Sequence, residues 1–210
     1  MLTAFTAALL LITISELGDK TFFIAVILAM RHSRRWVFAG VVAALAAMTL
    51  ISVMMGKVVG LLPETYIKYS EIALFLGFGI KLIYDASKIS AQADEAIIDE
   101  AMEEVSESEA GNSFLARTIP KKSILGILLQ SFVMTFAAEW GDRTQISTIA
   151  LAAAYNPVGV TAGSILGHSI CAVIAVIGGR LVAGHISEKM VTLIGGILFI
   201  IFGTFAIIKY

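Results

Sequence analysis

Hydrophobic residues along this chain fall into six long runs, at about 2–30, 36–61, 70–89, 123–154, 157–182 and 187–208. A straight transmembrane helix needs about 20 apolar residues, so each run predicts a membrane-spanning helix. The first and fourth runs are longer than that. Each carries a polar cluster near its middle with a glycine inside it, Gly18 or Gly141. Tilting, or a break of the helix at that glycine, would absorb the excess length. Between the third and fourth runs the pattern changes. The link 90–122 holds Asp94, Glu95, Asp99, Glu100, Glu103, Glu104, Glu107 and Glu109, with no base between Ser90 and Ala116. Ala96, Ile97, Ile98, Ala101, Met102 and Val105 recur there at helical spacing, consistent with a short amphipathic helix. Charge runs ordinarily solvate, so the expectation is a solvated acidic linker, the alternative being a low-affinity cation antenna or sensor. It lacks the ligand spacing and turn glycine of an EF-hand.

The two halves repeat. Adding 123 carries Glu16 onto Glu139, Thr21 onto Thr144, Ala29 onto Ala152, Gly40 onto Gly163, Gly56 onto Gly179 and Lys57 onto Arg180. One added residue then aligns Phe78 and Gly79 with Phe202 and Gly203. Three spans per half is an odd number, so the second half must enter the membrane from the opposite side. The predicted fold is all-α and integral to the membrane: six transmembrane helices as two inverted three-helix repeats, 1–89 and 123–210, joined by the acidic cytosolic link 90–122. Secondary transporters are commonly built this way, with their sites at the repeat interface.

Basic residues set the orientation. Arg31, Arg34 and Arg35 follow the first run; Lys88, Arg117, Lys121 and Lys122 flank the link; Arg180 and Lys189 flank the turn after the fifth run. All lie on one side, and the other has little beyond Lys57, Lys68 and Lys209. The positive-inside rule then places both termini outside the cytosol. Met1 to Ser15 lacks the basic region of a signal peptide and belongs to the repeat, so it is read as mature chain. Trp36, after the basic loop, reads as an interface anchor.

Composition agrees. The 210 residues are 58% hydrophobic, with a mean hydropathy of +0.90, against about 45–50% apolar in soluble domains. A net charge of −1, with no basic run interleaved with aromatics, gives no sign of nucleic-acid binding. Cys171 is the single cysteine, so no internal disulfide forms, and it reads as a packing residue.

The clusters inside runs one and four are the same hexapeptide: Glu16-Leu17-Gly18-Asp19-Lys20-Thr21 and Glu139-Trp140-Gly141-Asp142-Arg143-Thr144. A charge at bilayer depth costs roughly 2.5–3.5 kcal/mol even on the lenient insertion scale. On a continuous helix, Glu16, Asp19 and Lys20 share one face, as do Glu139, Asp142 and Arg143. Where the two long helices cross, four carboxylates would meet two cations, leaving a surplus of two negative charges. One dication or two protons would cancel it, which is a physical route to exchange. Oxygen ligands without thiolate suit hard ions such as Ca2+, Mn2+ or Mg2+, and no cysteine lies near either motif in sequence. Thr21, Thr144, Gln145 and Ser147 could add oxygens, as could carbonyls freed at Gly18 and Gly141. Lys20 and Arg143 are expected to pair with motif carboxylates when no ion is bound. The plainer reading is an interhelical salt-bridge cluster, although small residues pack helices in lipid at lower cost.

The doubled Glu-x-Gly-Asp-(Lys/Arg)-Thr motif, the three-plus-three arrangement and the acidic link together resemble the Gdt-type cation/proton antiporter family over essentially the whole chain. Its members include the Golgi manganese/calcium transporter, chloroplast manganese transporters and bacterial manganese exporters. The resemblance implies a transporter, not an enzyme, that moves Mn2+ and/or Ca2+ out of the cytosol against protons, with no permanent cofactor. It implies Glu16, Asp19, Glu139 and Asp142 as the functional acids, with Lys20, Thr21, Arg143 and Thr144 completing the motifs. The compact length fits a prokaryotic form in a bacterial plasma (inner) membrane. Metal ion, protons and lipid are the expected partners, and self-association stays open.

Two other functions compete. An exporter of amino acids or other small cationic solutes on a similar scaffold would need a roomier pocket. An intramembrane aspartyl protease using Asp19 and Asp142 would need one proton shared between two aspartates, and the adjacent Lys20 and Arg143 oppose that. His168 stands where the first half has Leu45; an interhelical hydrogen bond is the simpler reading and a proton relay the other. Thr49, Ser52, Ser164 and Ser169 either line a path or bond to their own helix carbonyls. Gly163 with Gly167, and Gly56 with Gly60, have the spacing of close helix packing. Lys81, Asp85 and Lys88 read as interfacial ion pairs, and Asn156-Pro157 as a tight turn.

Overall fold

A computed structural model describes residues 1–89, 93–110, 123–178 and 188–209. Their regular structure is entirely helical: α1 (Leu2–Glu16), α2 (Lys20–Arg31), α3 (Arg34–Val59), α4 (Glu64–Lys88), α5 (Ala93–Ala110), α6 (Ile124–Ala138), α7 (Arg143–Ala154), α8 (Pro157–Val173) and α9 (Glu188–Lys209). A π-helical turn, Ile174–Gly178, extends α8. Gly179, Arg180, Arg117, Lys121 and Lys122, used in the repeat and orientation arguments, lie outside the described residues.

Both long runs break at their motifs. The first divides into α1 and α2, and the fourth into α6 and α7, which bend by 75°. The breaks share one geometry. Gly18 and Gly141 take φ of 77° and 84°, a left-handed conformation that costs L side chains roughly 1–2 kcal/mol. Asp19 and Asp142 then occupy the N-cap positions of the following helices with nearly identical backbone angles, φ −77°, ψ 167° and φ −70°, ψ 166°. The expectation of one continuous motif face is therefore corrected. Glu ends one helix, and Asp, Lys or Arg, and Thr begin another.

Among the described residues, Arg34–Val59, Pro157–Gly178 and Lys189–Ile208 are long and apolar enough to cross a membrane, and α6 with α7 makes a fourth if counted as one broken span. α1 is apolar but shorter. α4 carries Glu64, Lys68, Glu71, Lys81, Asp85 and Lys88 along its length. Leu50, Met54, Ile80, Ile177, Ile197 and Phe205 are exposed, as suits a surface solvated by lipid rather than water.

Helix packing repeats between the halves. α1 lies against α8, α3 against α6, and α4 against α9. A Cβ on Gly40 would meet the Leu128 carbonyl oxygen, and one on Gly163 the Phe5 carbonyl oxygen. Both members of each pair are related by 123. Likewise Gly79 faces Ile200 and Gly203 faces Leu76, pairs related by 124. Phe75, Phe78, Phe199 and Phe202 fill the α4–α9 crossing with edge and tilted ring contacts.

The acidic segment is more than a solvated linker. α5 lies along α2 and buries Ala101 and Val105 completely, joining a core that includes Phe22, Ile24 and Leu28. Its acids clasp the bases of α2: Arg31 donates to Glu109 at 2.6 Å, and His32 Nε2 lies 3.1 Å from the same carboxylate. The apolar positions at helical spacing outweighed the charge run because they had a hydrophobic helix to cover.

Candidate metal centre

The motif breaks place the end of α1 and the end of α6 beside each other's following helix. Glu16, Glu139 and Asp142 each offer a carboxylate oxygen, and the three atoms lie within 4.8 Å of one another. Glu16 and Glu139 are almost wholly buried. Thr21 Oγ1 donates to Glu16 Oε2 at 3.3 Å, and Thr144 Oγ1 donates to Glu139 Oε2 at 3.3 Å. In each glutamate the other oxygen, Oε1, is buried without a hydrogen-bond partner. Buried polar atoms are normally satisfied, and an orphan calls for an explanation. Paired orphan oxygens on clustered carboxylates fit a hard cation, which takes oxygen ligands.

The other motif residues divide unequally. Asp142 accepts a capping hydrogen bond from the Thr144 backbone N–H. Asp19 makes no such cap and accepts from Arg143 Nη2 at 3.3 Å, so it stands outside the close trio. Arg143 Nη2 also donates to the Ser15 carbonyl at 3.2 Å, tying the second motif to the first. Lys20 turns away from the motifs. Its Nζ lies 2.7 Å from Glu100 and 2.5 Å from Glu104 on α5. One expectation is thereby corrected: Lys20 pairs with the acidic segment rather than with its own motif. Arg143 does pair with a motif carboxylate, but across the halves.

Gln145 braces the second break. Its Oε1 accepts from the Gly141 N–H at 2.8 Å, and its Nε2 points to Met48 Sδ at 2.9 Å. Ser147 bonds the Arg143 carbonyl of its own helix, as Ser52 bonds Met48 and Ser169 bonds Ile165. Thr49 and Ser164 are buried and make no such bond. Sequence reasoning missed Ser131 and Thr135, which are buried, unpartnered, and spaced eight and four residues before Glu139. That i, i+4, i+8 series of polar residues was the available signal. It also missed Cys171: remote in sequence, this residue lines the same small cavity as Glu16, with its Sγ 3.2 Å from the Thr13 carbonyl.

That cavity, also lined by Thr21, Phe22, Leu45 and Ala175, holds about 10 Å3, roughly the space of one water-sized sphere. A larger one of about 470 Å3 lies beyond Ala175, bounded by the C-terminal half of α2, by His32 and Arg34, and by the π turn.

The sequence model described as "Divalent cation/proton antiporter GDT1" matches residues 4–90 and 127–210. A GDT1-like protein of Synechocystis is 61% identical over 202 residues, covering 96% of this chain and 95% of that protein. GDT1-like protein 4 of Oryza sativa is 43% identical over 198 residues, 94% of this chain and 70% of its own. The chloroplastic PAM71-homolog of Arabidopsis thaliana is 41% identical over 211 residues, 95% of this chain and 58% of its own. No solved structure matches.

Proposed function

Since this chain belongs to the GDT1 family of divalent cation/proton antiporters, we propose that it carries Mn2+ or Ca2+ out of the cytosol in exchange for protons, at one site built jointly by its two motifs. It is a transporter, not an enzyme. The reading is carried by one observation: Glu16 from one half and Glu139 and Asp142 from the other bring ligand oxygens within 4.8 Å, with one oxygen of each glutamate unpartnered.

Glu16, Glu139 and Asp142 bind the ion, and Thr21 and Thr144 orient the two glutamates. Asp19 and Arg143 form the bridge between halves that sets their separation. Clustered carboxylates repel one another, so they are stable only when a cation or protons neutralise them. The cation and the protons therefore displace each other, and each drives the other's release. Gly18, Gly141 and Gln145 hold the broken backbone that makes this geometry.

In this reading the six helical spans form two inverted repeats, 1–89 and 123–210, that rock about the site, with the acidic segment 90–122 and the basic loops in the cytosol and both termini outside. The 470 Å3 cavity lies beside His32 and Arg34, next to the basic loop assigned to the cytosol. The membrane of a bacterial cell is its proposed location, supported by the cyanobacterial relative.

The small cavity at Glu16 argues against an organic cation, because about 10 Å3 does not accommodate an amino acid. An aspartyl dyad is disfavoured because Asp19 is engaged by Arg143 while Asp142 clusters with glutamates. The test is metal uptake into everted vesicles or proteoliposomes under an imposed pH gradient, with Mn2+, Ca2+ and Mg2+ side by side. Wild type should move Mn2+ or Ca2+, and Glu16→Gln or Asp142→Asn should abolish that flux with folding intact. Flux that survives neutral substitution of Glu16, Asp19, Glu139 and Asp142 would refute the site.

A further inference from the structure

Among the positions where the two halves differ, His168 stands beside the carboxylates. α8 presses against α1 because Gly163 and Gly167 carry no Cβ; one on Gly167 would stand 3.0 Å from Thr13 Oγ1 and 3.1 Å from the Leu9 carbonyl oxygen. That close approach brings His168 Nδ1 to 3.9 Å from Glu16 Oε1. His168 is 5% exposed. Neither of these two facing atoms has a hydrogen-bond partner. Their separation exceeds a hydrogen bond. It is within the span of two donors on a single ion, since metal–ligand bonds of about 2.1 Å allow up to about 4.2 Å between them. The matching residue of the first half, Leu45, offers no donor and lines the cavity at Glu16.

We infer that His168 is a fourth ligand of the transported ion, a nitrogen supplied by α8 of the second half and lacking from the first. As the Nε2–H tautomer its Nδ1 presents a lone pair to Glu16, the member of the trio it faces. Imidazole suits first-row transition dications, whereas Ca2+ and Mg2+ prefer all-oxygen shells. A mixed shell of three carboxylates and one imidazole therefore selects Mn2+ over Ca2+. This inference rests on the cation site proposed above and specifies its substrate.

The test is pulsed electron paramagnetic resonance of purified wild-type protein loaded with Mn2+, together with proteoliposome flux of Mn2+ against Ca2+. Directly bound imidazole gives nitrogen modulation of the Mn2+ echo. The inference expects that modulation in wild type and its loss in His168→Leu, which makes the halves alike, and in the polar variant His168→Gln. It also expects the Mn2+:Ca2+ flux ratio to fall roughly 10- to 100-fold in the variants, the scale of losses when groups at a metal site are removed. A group that only packs α8 on α1 would lower both fluxes together and leave the ratio unmoved, and that result would overturn the inference. Mn2+ bound to wild type without nitrogen modulation would overturn it while leaving the carboxylate site standing. Wild type that neither binds nor moves Mn2+ would overturn the Mn2+ assignment as well. The wild-type spectrum decides the matter even where a variant fails to fold.

Discussion

Alanine at Gly141 isolates what the broken backbone costs and what it supports. Gly141 has φ +84°, and a Cβ built there meets nothing within 4 Å. Neither a clash nor a filled cavity enters the balance, so the penalty is that of the left-handed conformation, about 1–2 kcal/mol. Such a change shifts the folded-to-unfolded ratio about 5- to 30-fold. Asparagine tolerates that region better than alanine, so Gly141→Asn should recover part of the loss despite its larger side chain. Gly77→Ala is the control. Gly77 lies inside α4 and likewise has nothing within 4 Å, but its backbone is helical, so alanine there should stabilise by about 0.5–1 kcal/mol. The assay is reversible unfolding in mixed detergent micelles followed by circular dichroism, with ion flux on the same preparations. Gly141→Ala should lower both stability and flux, because relaxing the turn moves Glu139 and Asp142 apart. The reasoning is refuted if Gly141→Ala matches wild type, or if Gly141→Asn is worse than Gly141→Ala.

Gly40→Ala should destabilise by about 1–3 kcal/mol through overpacking, because its Cβ would fall 2.6 Å from the Leu128 carbonyl oxygen and 2.8 Å from Ser131 Cβ; thermal unfolding in detergent measures this. Val105→Asp should strip α5 from α2, since Val105 is fully buried in that contact, and hydrogen exchange across 93–110 should accelerate while exchange in α9 does not. Thr135→Val removes a buried hydroxyl that has no partner. It should raise stability by about 1 kcal/mol, and lower stability would show that the hydroxyl is engaged.

Much of the site could be read from the chain alone because its elements are local. The hexapeptide places Glu, Gly, Asp and Thr within one break, and the glycine marks the left-handed turn. The repeat under a shift of 123 anticipates the paired glycine contacts of α3 with α6 and α8 with α1, which depend only on which helix face lacks Cβ atoms. Side-chain choices made by tertiary neighbours were not legible. Lys20 and Arg143 occupy equivalent positions, yet one reaches α5 and the other crosses to Asp19. Only the first half has an acidic helix alongside it, and no local pattern records that. Cys171 and His168 joined the surroundings of Glu16 for a similar reason: they lie one turn apart on the face that two glycines press against α1. The acidic run was misleading because charge counts describe one face of α5, and Ala101 and Val105 describe the other.

The most direct measurement is the stoichiometry of Mn2+ bound to purified protein, wild type against Glu16→Gln and Glu139→Gln taken singly. A site made jointly by the halves predicts one ion per chain in wild type, lost entirely in either variant. Two ions per chain, with each substitution removing only one of them, would contradict it.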